Sequence, residues 1–491
     1  MGCLRTIVLL CATCATALRG PSPHFALRTL PRGGAAAAAG EHHRNVRRDF
    51  ADLAIPALLG LAIEPVASLV DTAFVGRRCG EAPLAGVGVA VSIFNILAKS
   101  MNFLQSATCS FVARARSQDA APGDFCDRSA ALAAASISAS IYVAVGAGAA
   151  LALALRCFGD RAVGTLLGVN GDAAVRAHAS AYLSYRCWSL PPALALMALQ
   201  GAFRGARDAS TPVAALLASS AANVALDAVL VRGRRRRRWR RRRDGRGPVP
   251  RRRRAPRLLR KRAGGLPRPP AAACRAVARS GGVLVVRTLA TVVCMQYAAV
   301  VAAKLGPVPG AAHAICFQVW LSASLLSDAV AAAFQALLAE ALANRRPADA
   351  RRVAGTALAL WALVAAGNFA CLRVFGPAIV RFFTRDPATV AAAAAIWPAV
   401  ARSQALTCLS FVVDGALFAA EDYKFTALAM LGGAGAAGWT MVALAPTRGL
   451  PGIWLGLEVL MTLRSATGLA RLASRTGPWR DAWGRRNKEQ S

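Results

Sequence analysis

Acidic residues are scarce in this sequence: Asp and Glu number 24 among 491 residues, and charged residues of all kinds make up 17%. Soluble domains carry about 25% charged residues. Hydrophobic residues reach 56%, and the mean hydropathy is +0.42. These proportions exclude a disordered chain, a coiled coil and a small disulfide scaffold. They favour a polytopic membrane domain.

Motifs of enzymes and metalloproteins are also missing. The 13 cysteines are scattered, and the C-x-x-C pair of Cys11 and Cys14 lies in a segment that we expect to be removed. The five histidines show no metal-ligand spacing. There is no nucleophile motif and no phosphate-binding loop, which argues against an enzyme and against an ATP-driven pump. The sequence implies no cofactor and no resident metal.

The N-terminal 49 residues have the composition of targeting segments. Arg5 precedes an apolar run, and Ala15-Thr-Ala17 is an A-x-A cleavage pattern, so residues 1–17 are interpreted as a signal peptide. Residues 18–40 contain arginines and no acid, and we interpret 18–49 as a transit-like segment of a plastid acquired by secondary endosymbiosis. This predicts a plastid envelope; a plain secretory signal, leading to the plasma or vacuolar membrane, is the alternative.

Eleven apolar spans follow, rich in Ala, Gly, Ser and Val, which let helices approach closely in a membrane. They cover about 51–75, 84–112, 129–155, 178–202, 212–231, 280–303, 310–339, 353–375, 393–418, 426–445 and 450–470. The predicted organisation is an N-lobe at 50–231 with five membrane helices, an Arg-rich segment and linker at 232–278, a C-lobe at 279–471 with six membrane helices, and a basic tail at 472–491.

The two halves repeat weakly. Leu199–Asp208 aligns with Val413–Asp422 at an offset of 214, and Arg78–Pro83 aligns with Lys304–Pro309 at an offset of 226. Internal repeats are typical of secondary transporters.

Loop charges predict an orientation. In the second half, one set of alternate loops together with the tail holds 11 Lys and Arg, whereas the opposite set holds five. By the positive-inside rule, the richer loops and the C-terminus face the cytoplasm-equivalent side. The arginines before the first span and after the even-numbered spans put the N-terminal flank on that same side.

Residues 232–262 form an arginine run, with 18 Arg, one Lys and one Asp. Such a run cannot cross a bilayer, since each central Arg costs about 2.5–3.5 kcal/mol on insertion scales. Eleven spans would also place the two termini on opposite sides, against the loop charges. We predict that the run is a sixth span translated in the wrong frame of GC-rich codons, with a native solvated basic loop as the alternative. The transcript sequence decides between them.

Ionisable residues inside membrane spans are candidates for function because burying their charge is costly. The candidates for cation coupling are Asp71, Asn223, Asp227 and Asp414, with Glu64 and Arg287 in support. Two facing carboxylates can share a proton or hold a transient Na⁺. The alternative is that each caps a helix or pairs with a structural arginine. Glu340 and Glu421 lie near helix ends, where we expect solvent exposure.

Several of these residues belong to longer motifs. The motifs are Leu53-Ala-Ile-Pro-Ala, Glu64-Pro65, Val70-Asp-Thr-Ala-Phe-Val-Gly76, Val87-Gly-Val, Ser92-Ile-Phe-Asn95, Gln200-Gly-Ala-Phe-Arg-Gly205 with Asp208, Thr211-Pro212, Asn223 and Leu226-Asp227, then Pro309, Ala312-His313, Gln318-Val-Trp320 and Asp414-Gly415. With these motifs the chain from about 48 to 470, except the arginine run, resembles the multidrug and toxic compound extrusion (MATE) transporters, closest to the plant plastid members, which are related to the DinF-like branch.

The resemblance implies an all-α polytopic fold with two pseudo-symmetric six-helix lobes around a central cavity. It implies proton- or sodium-coupled antiport of a small organic solute, either a cation or an organic acid, by a chain expected to be a monomer in a lipid bilayer without nucleic acid. Asp71, Asn223 and Asp227 match the family's N-lobe cation site, and Asp414 matches a C-lobe acidic position. The chain departs from the family at Arg114, where relatives often carry Glu, and at the missing sixth span.

Two other functions remain open on the sequence. One is a lipid or lipid-linked-oligosaccharide flippase of the same superfamily fold, which a basic cavity able to hold phosphates would favour. The other is a tether for nucleic acid or anionic lipid, based on the arginine run; salt-dependent binding by 232–262 alone would favour it.

Overall fold

The computed structural model describes residues 46–61, 90–117 except 91, 92, 95 and 99, 125–167, 173–218 except 209 and 215, and 269–483. These residues are helical apart from short turns, and no β-strand occurs among them. The arginine run and the predicted targeting segment up to residue 45 lie outside the described residues. The all-α prediction is confirmed.

The helices are numbered along the chain. They are α1 (46–61), α2 (Phe103–Ser117), α3 (Phe125–Leu167), α4 (Ala173–Arg186), α5 (Leu190–Gly205), α6 (Ala271–Lys304), α7 (Pro307–Ala343), α8 (Pro347–Phe383), α9 (Pro387–Ala419), α10 (Tyr423–Arg448) and α11 (Leu450–Ala473). Single turns of 3₁₀-helix lie at Cys187–Ser189 and Gly477–Trp479.

Prolines and one acidic cap begin the long helices. Proline occupies the first turn of α7, α8 and α9, where its missing N–H costs no hydrogen bond. Asp386 caps α9 by accepting a hydrogen bond from the Thr389 amide at 2.9 Å. Gly449, at φ +61, separates α10 from α11 in a conformation that favours glycine.

The predicted span at 178–202 is not one straight helix. α4 ends at Arg186, a 3₁₀ turn covers Cys187–Ser189, and α5 begins at Leu190. Pro191 and Pro192 follow directly, and proline inside a helix removes a backbone donor and clashes with the preceding turn. The apolar pattern of the sequence therefore overlooked a break that its prolines marked.

Six helices within the described residues are long and apolar enough to cross a membrane. Their ranges are Leu132–Thr165, Ala271–Lys304, Pro307–Ala343, Pro347–Phe383, Pro387–Ala419 and Tyr423–Arg448. The chain is thus a multi-pass membrane protein.

The hydrophobic clusters divide the molecule into two ends. We call the end that carries Arg114, Arg207 and the C-terminus of α11 the inner end, and the opposite one the outer end. At the outer end, one cluster is built from the N-lobe alone, around Phe94 and Leu183, and another from the C-lobe alone, around Trp320 and Trp454. Toward the inner end, one large cluster joins both lobes, and a smaller one joins Phe103 and Leu104 of the N-lobe to Leu284 and Tyr423 of the C-lobe.

The inner cluster packs α1 and α2 of the N-lobe against α7 and α9 of the C-lobe. Its members include Phe50, Leu53, Cys109 and Ala113 on one side and Phe334, Leu337, Val413 and Leu417 on the other. The lobes therefore meet at the inner end, while the outer clusters remain separate within each lobe.

The sequence repeat is reproduced in backbone geometry. Arg207 and Glu421, related by the offset of 214, both follow the end of a helix with a positive φ, at 63° and 57°. The next amides donate equivalent hydrogen bonds, Asp208 to the Phe203 carbonyl and Asp422 to the Leu417 carbonyl, both at 2.9 Å. The two lobes thus end their corresponding helices, α5 and α9, with the same turn.

Candidate functional site

The sequence-predicted N-lobe residues Asp71, Asn223, Asp227 and Glu64 lie outside the described residues. Asp414 and Arg287 are described, and the structure brings them together although 127 positions separate them in the sequence.

Asp414 is the centre of a buried ion-pair cluster in the C-lobe. It lies in α9, and its Oδ2 atom accepts hydrogen bonds from Arg287 of α6 and from Arg464 of α11, the Arg464 Nε bond measuring 3.0 Å. The exposed fractions are 6% for the Asp414 side chain, 11% for Arg287 and 9% for Arg464. Two guanidiniums thus neutralise one carboxylate away from water.

Aromatic rings cover the two arginines. The Arg287 guanidinium lies 4.9 Å from the centre of the Phe418 ring, and that of Arg464 lies 5.1 Å from the Phe411 ring. Such cation–π contacts favour the charged guanidinium in a desolvated site. They hold both arginines beside Asp414.

Further charged residues lie where the lobes approach. Arg204 of α5 lies within hydrogen-bonding distance, 3.1 Å, of the Gln105 amide, which in turn lies 2.9 Å from the Gln200 amide. Arg204 also interacts electrostatically with Asp328 of α7, and Asp328 interacts with Arg464 and Asp414. Charges from both lobes therefore converge on one region.

Two ion pairs cross between the lobes at the inner end. Arg207 contacts Glu340 at 2.5 Å and Asp49 at 3.6 Å, and Arg114 contacts Glu421 at 3.1 Å. The expectation that Glu340 and Glu421 are solvent-exposed is wrong, because each is partly buried against an arginine of the opposite lobe. In the turn after α9, burial raises the pKa of Glu421 and the nearby Arg114 opposes that rise.

These pairs follow the internal repeat with the charge reversed. Arg207 corresponds to Glu421 at the offset of 214, and Arg114 corresponds to Glu340 at the offset of 226. The N-lobe supplies both arginines and the C-lobe both glutamates, so the pseudo-two-fold axis relates one ion pair to the other. Arg114, which departs from the family pattern, is the residue that makes this complementarity possible.

Neutral hydrogen bonds join the same surfaces. Gln335 of α7 donates to the Ser106 carbonyl at 2.8 Å and to the Ser110 hydroxyl at 3.0 Å. The Ser110 hydroxyl donates to the Phe418 carbonyl at 2.9 Å. The contact between the lobes at the inner end is therefore polar as well as apolar.

The sequence analysis missed Arg464, Arg204 and Asp328. Asp328 carried the same signal as Asp414, a carboxylate inside an apolar span, and could have been found by it. Arg402, by contrast, pairs with Glu458 at 3.5 Å within the C-lobe and is largely exposed. No group of three or more His, Cys, Asp or Glu side chains able to hold a metal occurs in the described part of the chain.

Known proteins resemble this chain over most of its length. The MatE family model matches residues 56–229 and 284–438. The first segment includes Asp71, Asn223 and Asp227 and ends three positions before the arginine run. The second segment includes Asp414.

Two relatives come from Arabidopsis thaliana. Protein DETOXIFICATION 44, chloroplastic, is 34% identical over 89% of this chain and 84% of its own length, and Protein DETOXIFICATION 43 is 31% identical over 90% and 94%. Among solved structures, the outward-facing conformation of a multidrug resistance MATE family transporter of the MOP superfamily superposes with a TM-score of 0.65 at 15% identity, covering 88% of this chain and 96% of that one.

The extent of these matches decides the family. The family model covers well over half of the chain in two segments, one in each lobe, and relatives at or above 30% identity extend across nearly all of it. The chain belongs to the MatE family and is a multi-pass membrane transporter of small organic solutes.

Proposed function

We propose that this chain is a cation-coupled antiporter that exports a small organic solute, with H⁺ or Na⁺ as the coupling ion. The observation that carries the proposal is the buried cluster of Asp414, Arg287 and Arg464 in the C-lobe of a molecule whose two lobes meet at the inner end. A solute site between such lobes opens to one side at a time when the lobes rock, and titratable charges inside it can link that motion to a cation gradient.

The coupling site consists, in this proposal, of Asp71, Asn223 and Asp227 in the N-lobe and Asp414 in the C-lobe, with Glu64 and Arg287 in support. The first three lie within the family match, and Asp414 is buried among arginines. A buried carboxylate whose counter-charges come from α6 and α11 can pass a change in its own charge to both helices.

The proposed location is a plastid envelope, and the proposed state is a monomer. The basic, acid-free segment after the predicted signal peptide supports a plastid, as does the word chloroplastic in the name of one relative. A flippase would need arginines able to hold phosphates. Arg287 and Arg464 are instead bonded to Asp414, which favours antiport.

The test is gradient-driven uptake into proteoliposomes, with ethidium as the probe cation and citrate as the probe organic acid. A pH gradient and a sodium gradient are imposed in separate arms. We expect one gradient to drive uptake of one probe, and Asp71→Asn and Asp227→Asn each to abolish it while leaving membrane insertion intact. Glu458→Gln is the matched control, since Glu458 pairs with exposed Arg402 outside the cluster. Full activity in both aspartate variants would contradict the proposed site.

A further inference from the structure

The chain folds back onto the inner end after α11. We call residues 474–483 the tail segment; a 3₁₀ turn covers Gly477–Trp479 within it. Trp479 is fully buried, although its neighbours Pro478 and Arg480 are exposed. Tryptophans that anchor a protein at a membrane surface face the lipid headgroups, whereas Trp479 is covered by protein. Its burial fixes the tail segment against the body of the molecule.

One carboxylate of the C-lobe attaches the tail segment. Asp422, in the turn after α9, accepts hydrogen bonds at Oδ2 from Arg471 Nε at 2.7 Å and from Trp479 Nε1 at 3.3 Å. Arg471 also donates a hydrogen bond to the Thr476 hydroxyl at 2.7 Å. The Trp483 ring stacks on that of Trp479, with the ring centres 5.6 Å apart. Charged, polar and aromatic contacts thus hold the segment in one position.

The turn that holds the tail segment also contacts the N-lobe. Glu421, the residue before Asp422, forms the ion pair with Arg114 of α2 at 3.1 Å. Adjacent residues therefore have different partners: Glu421 binds the opposite lobe, and Asp422 binds the tail segment. The contact between the lobes and the attachment of the tail segment depend on the same turn.

Trp479 also belongs to the inner cluster, which contains residues of both lobes. The N-lobe members include Phe50 and Leu53 of α1, and Ala482 of the tail segment joins the cluster beside Trp479. When the lobes part at the inner end, this cluster divides and exposes apolar surface to water. A docked tail segment therefore favours the closed inner end, and by linkage the opening of that end weakens docking of the tail segment.

We infer that the tail segment is a latch on the inner end: it is docked while the lobes are closed there, and it leaves the inner cluster when they part. Docking stabilises the inner-closed state and slows opening to that side. The inference rests on the lobe motion of the proposed function and on none of its cation or solute assignments.

Alkylation by N-ethylmaleimide tests the latch in the full chain in lipid, without a gradient or a solute. Trp479→Ala should raise the alkylation rate of Cys109, in the N-lobe part of the inner cluster, by at least about tenfold, since shortening a buried aromatic side chain is among the most costly core changes. Cys316 of the outer C-lobe cluster should not change. The matched control is Trp439→Ala, which removes an indole that is 74% exposed on α10 and should leave both rates unchanged.

The reverse effect separates a latch from a tail that only stabilises the C-lobe. Ala482→Cys introduces a thiol at a buried position of the tail segment in the inner cluster. Arg207→Gln removes the ion pair with Glu340 between the lobes. It should accelerate alkylation of the introduced thiol and of Cys109 by the same factor, about tenfold. A tail that stays docked when the lobes part would keep the introduced thiol protected while Cys109 becomes reactive.

Gly477→Ala is a second variant of the tail segment, for the case that Trp479→Ala unfolds the protein and accelerates Cys316 as well. Gly477 lies at φ +58, and an added Cβ would lie 2.8 Å from Arg471 Nη2. The substitution therefore strains the turn of the tail segment while keeping both of its tryptophans. It should accelerate Cys109 and leave Cys316 unchanged.

The outcomes separate this inference from the proposed function. The latch is overturned if neither tail variant accelerates Cys109 selectively over Cys316. It is also overturned if Arg207→Gln accelerates Cys109 without the introduced thiol, or accelerates neither. If the effects are reciprocal but neither gradient drives probe uptake by the wild type, the latch stands and the antiport proposal fails.

Discussion

The inner and outer ends of this transporter are held together in different ways. At the outer end, each lobe packs its own cluster, the C-lobe around Trp320 and Trp454 and the N-lobe around Leu183. At the inner end, a shared cluster, two ion pairs and the Gln335 hydrogen bonds connect the lobes. Apolar packing thus maintains each lobe as a unit, whereas the link between the lobes adds polar contacts.

The proposed antiport requires the lobes to part at one end without unfolding, and this difference suits that motion. Partly exposed ion pairs and hydrogen bonds exchange their partners for water at a net cost of about 1 kcal/mol each. Separating an apolar cluster exposes surface at roughly 25 cal/mol per Å². Opening the inner end carries this second cost too, because the shared cluster lies there. Charge complementarity between a basic N-lobe surface and an acidic C-lobe surface supplies the part of the contact that opens and reforms at low cost.

The largest effect is expected where close helix approach supports the inner end. A Cβ atom at Gly201 would overlap the backbone carbonyl of Gln105, and the equivalent atom at Gly415 would lie 2.8 Å from the Ala331 carbonyl. Gly201→Ala should force α5 away from α2 and lower the free energy of unfolding by about 1–3 kcal/mol. Thermal unfolding in detergent measures this loss of stability. Gly146→Ala, with no atom within 4 Å of its added Cβ, should have no destabilising effect; equal loss in both would contradict the packing argument.

The next largest effect is expected at the inner end and not at the outer end. Arg207→Gln removes the contacts to Glu340 and Asp49, so the inner end should open more often. The rate at which N-ethylmaleimide alkylates buried Cys109 of the inner cluster should rise about tenfold, which corresponds to about 1.4 kcal/mol. Peptide mass spectrometry measures the alkylation of Cys109 and of Cys316 in the same sample. Cys316 is buried in the outer C-lobe cluster, so its alkylation rate should not change. A parallel rise at Cys316 would indicate general unfolding instead.

A smaller effect is expected at the second ion pair. Arg114→Glu places like charges opposite Glu421, but the Arg114 side chain is 56% exposed, so solvent and salt screen the interaction. Cys109 alkylation should accelerate about two- to fourfold, equivalent to about 0.4–0.8 kcal/mol. The double variant Arg114→Glu with Glu421→Arg should restore the original rate. Failure of this charge exchange to restore it would show that Arg114 acts through packing.

Part of the site could be predicted from the sequence. Asp414 was identified because a carboxylate in an apolar span is rare, and the repeat at Leu199–Asp208 indicated that two similar halves exist. Asp328 carried the same signal as Asp414 but was overlooked within a longer apolar segment. Arg464 lies inside the predicted span 450–470, nine positions before the end of α11, and was overlooked because a long arginine side chain near a helix end can extend to the membrane surface.

The partners of these residues were beyond the reach of sequence patterns. Arg287 and Asp414 are separated by 127 positions, and Arg207 and Glu340 belong to different lobes. Glu340 and Glu421 looked solvated because each lies at a helix end. Each glutamate is buried because the opposite lobe packs against it, and the sequence of the glutamate's own helix does not determine where that lobe lies.

The sequence by itself determined that the chain lies in a membrane, where its apolar spans fall and that its halves repeat, because hydropathy and small-residue content are sums over neighbouring positions. The tertiary structure alone decided which arginines neutralise Asp414, and that basic residues of one lobe meet acidic residues of the other. Ion pairs of this kind depend on the rotation of each helix about its axis and on how the lobes dock, and a shift of a few ångströms in either makes or breaks them.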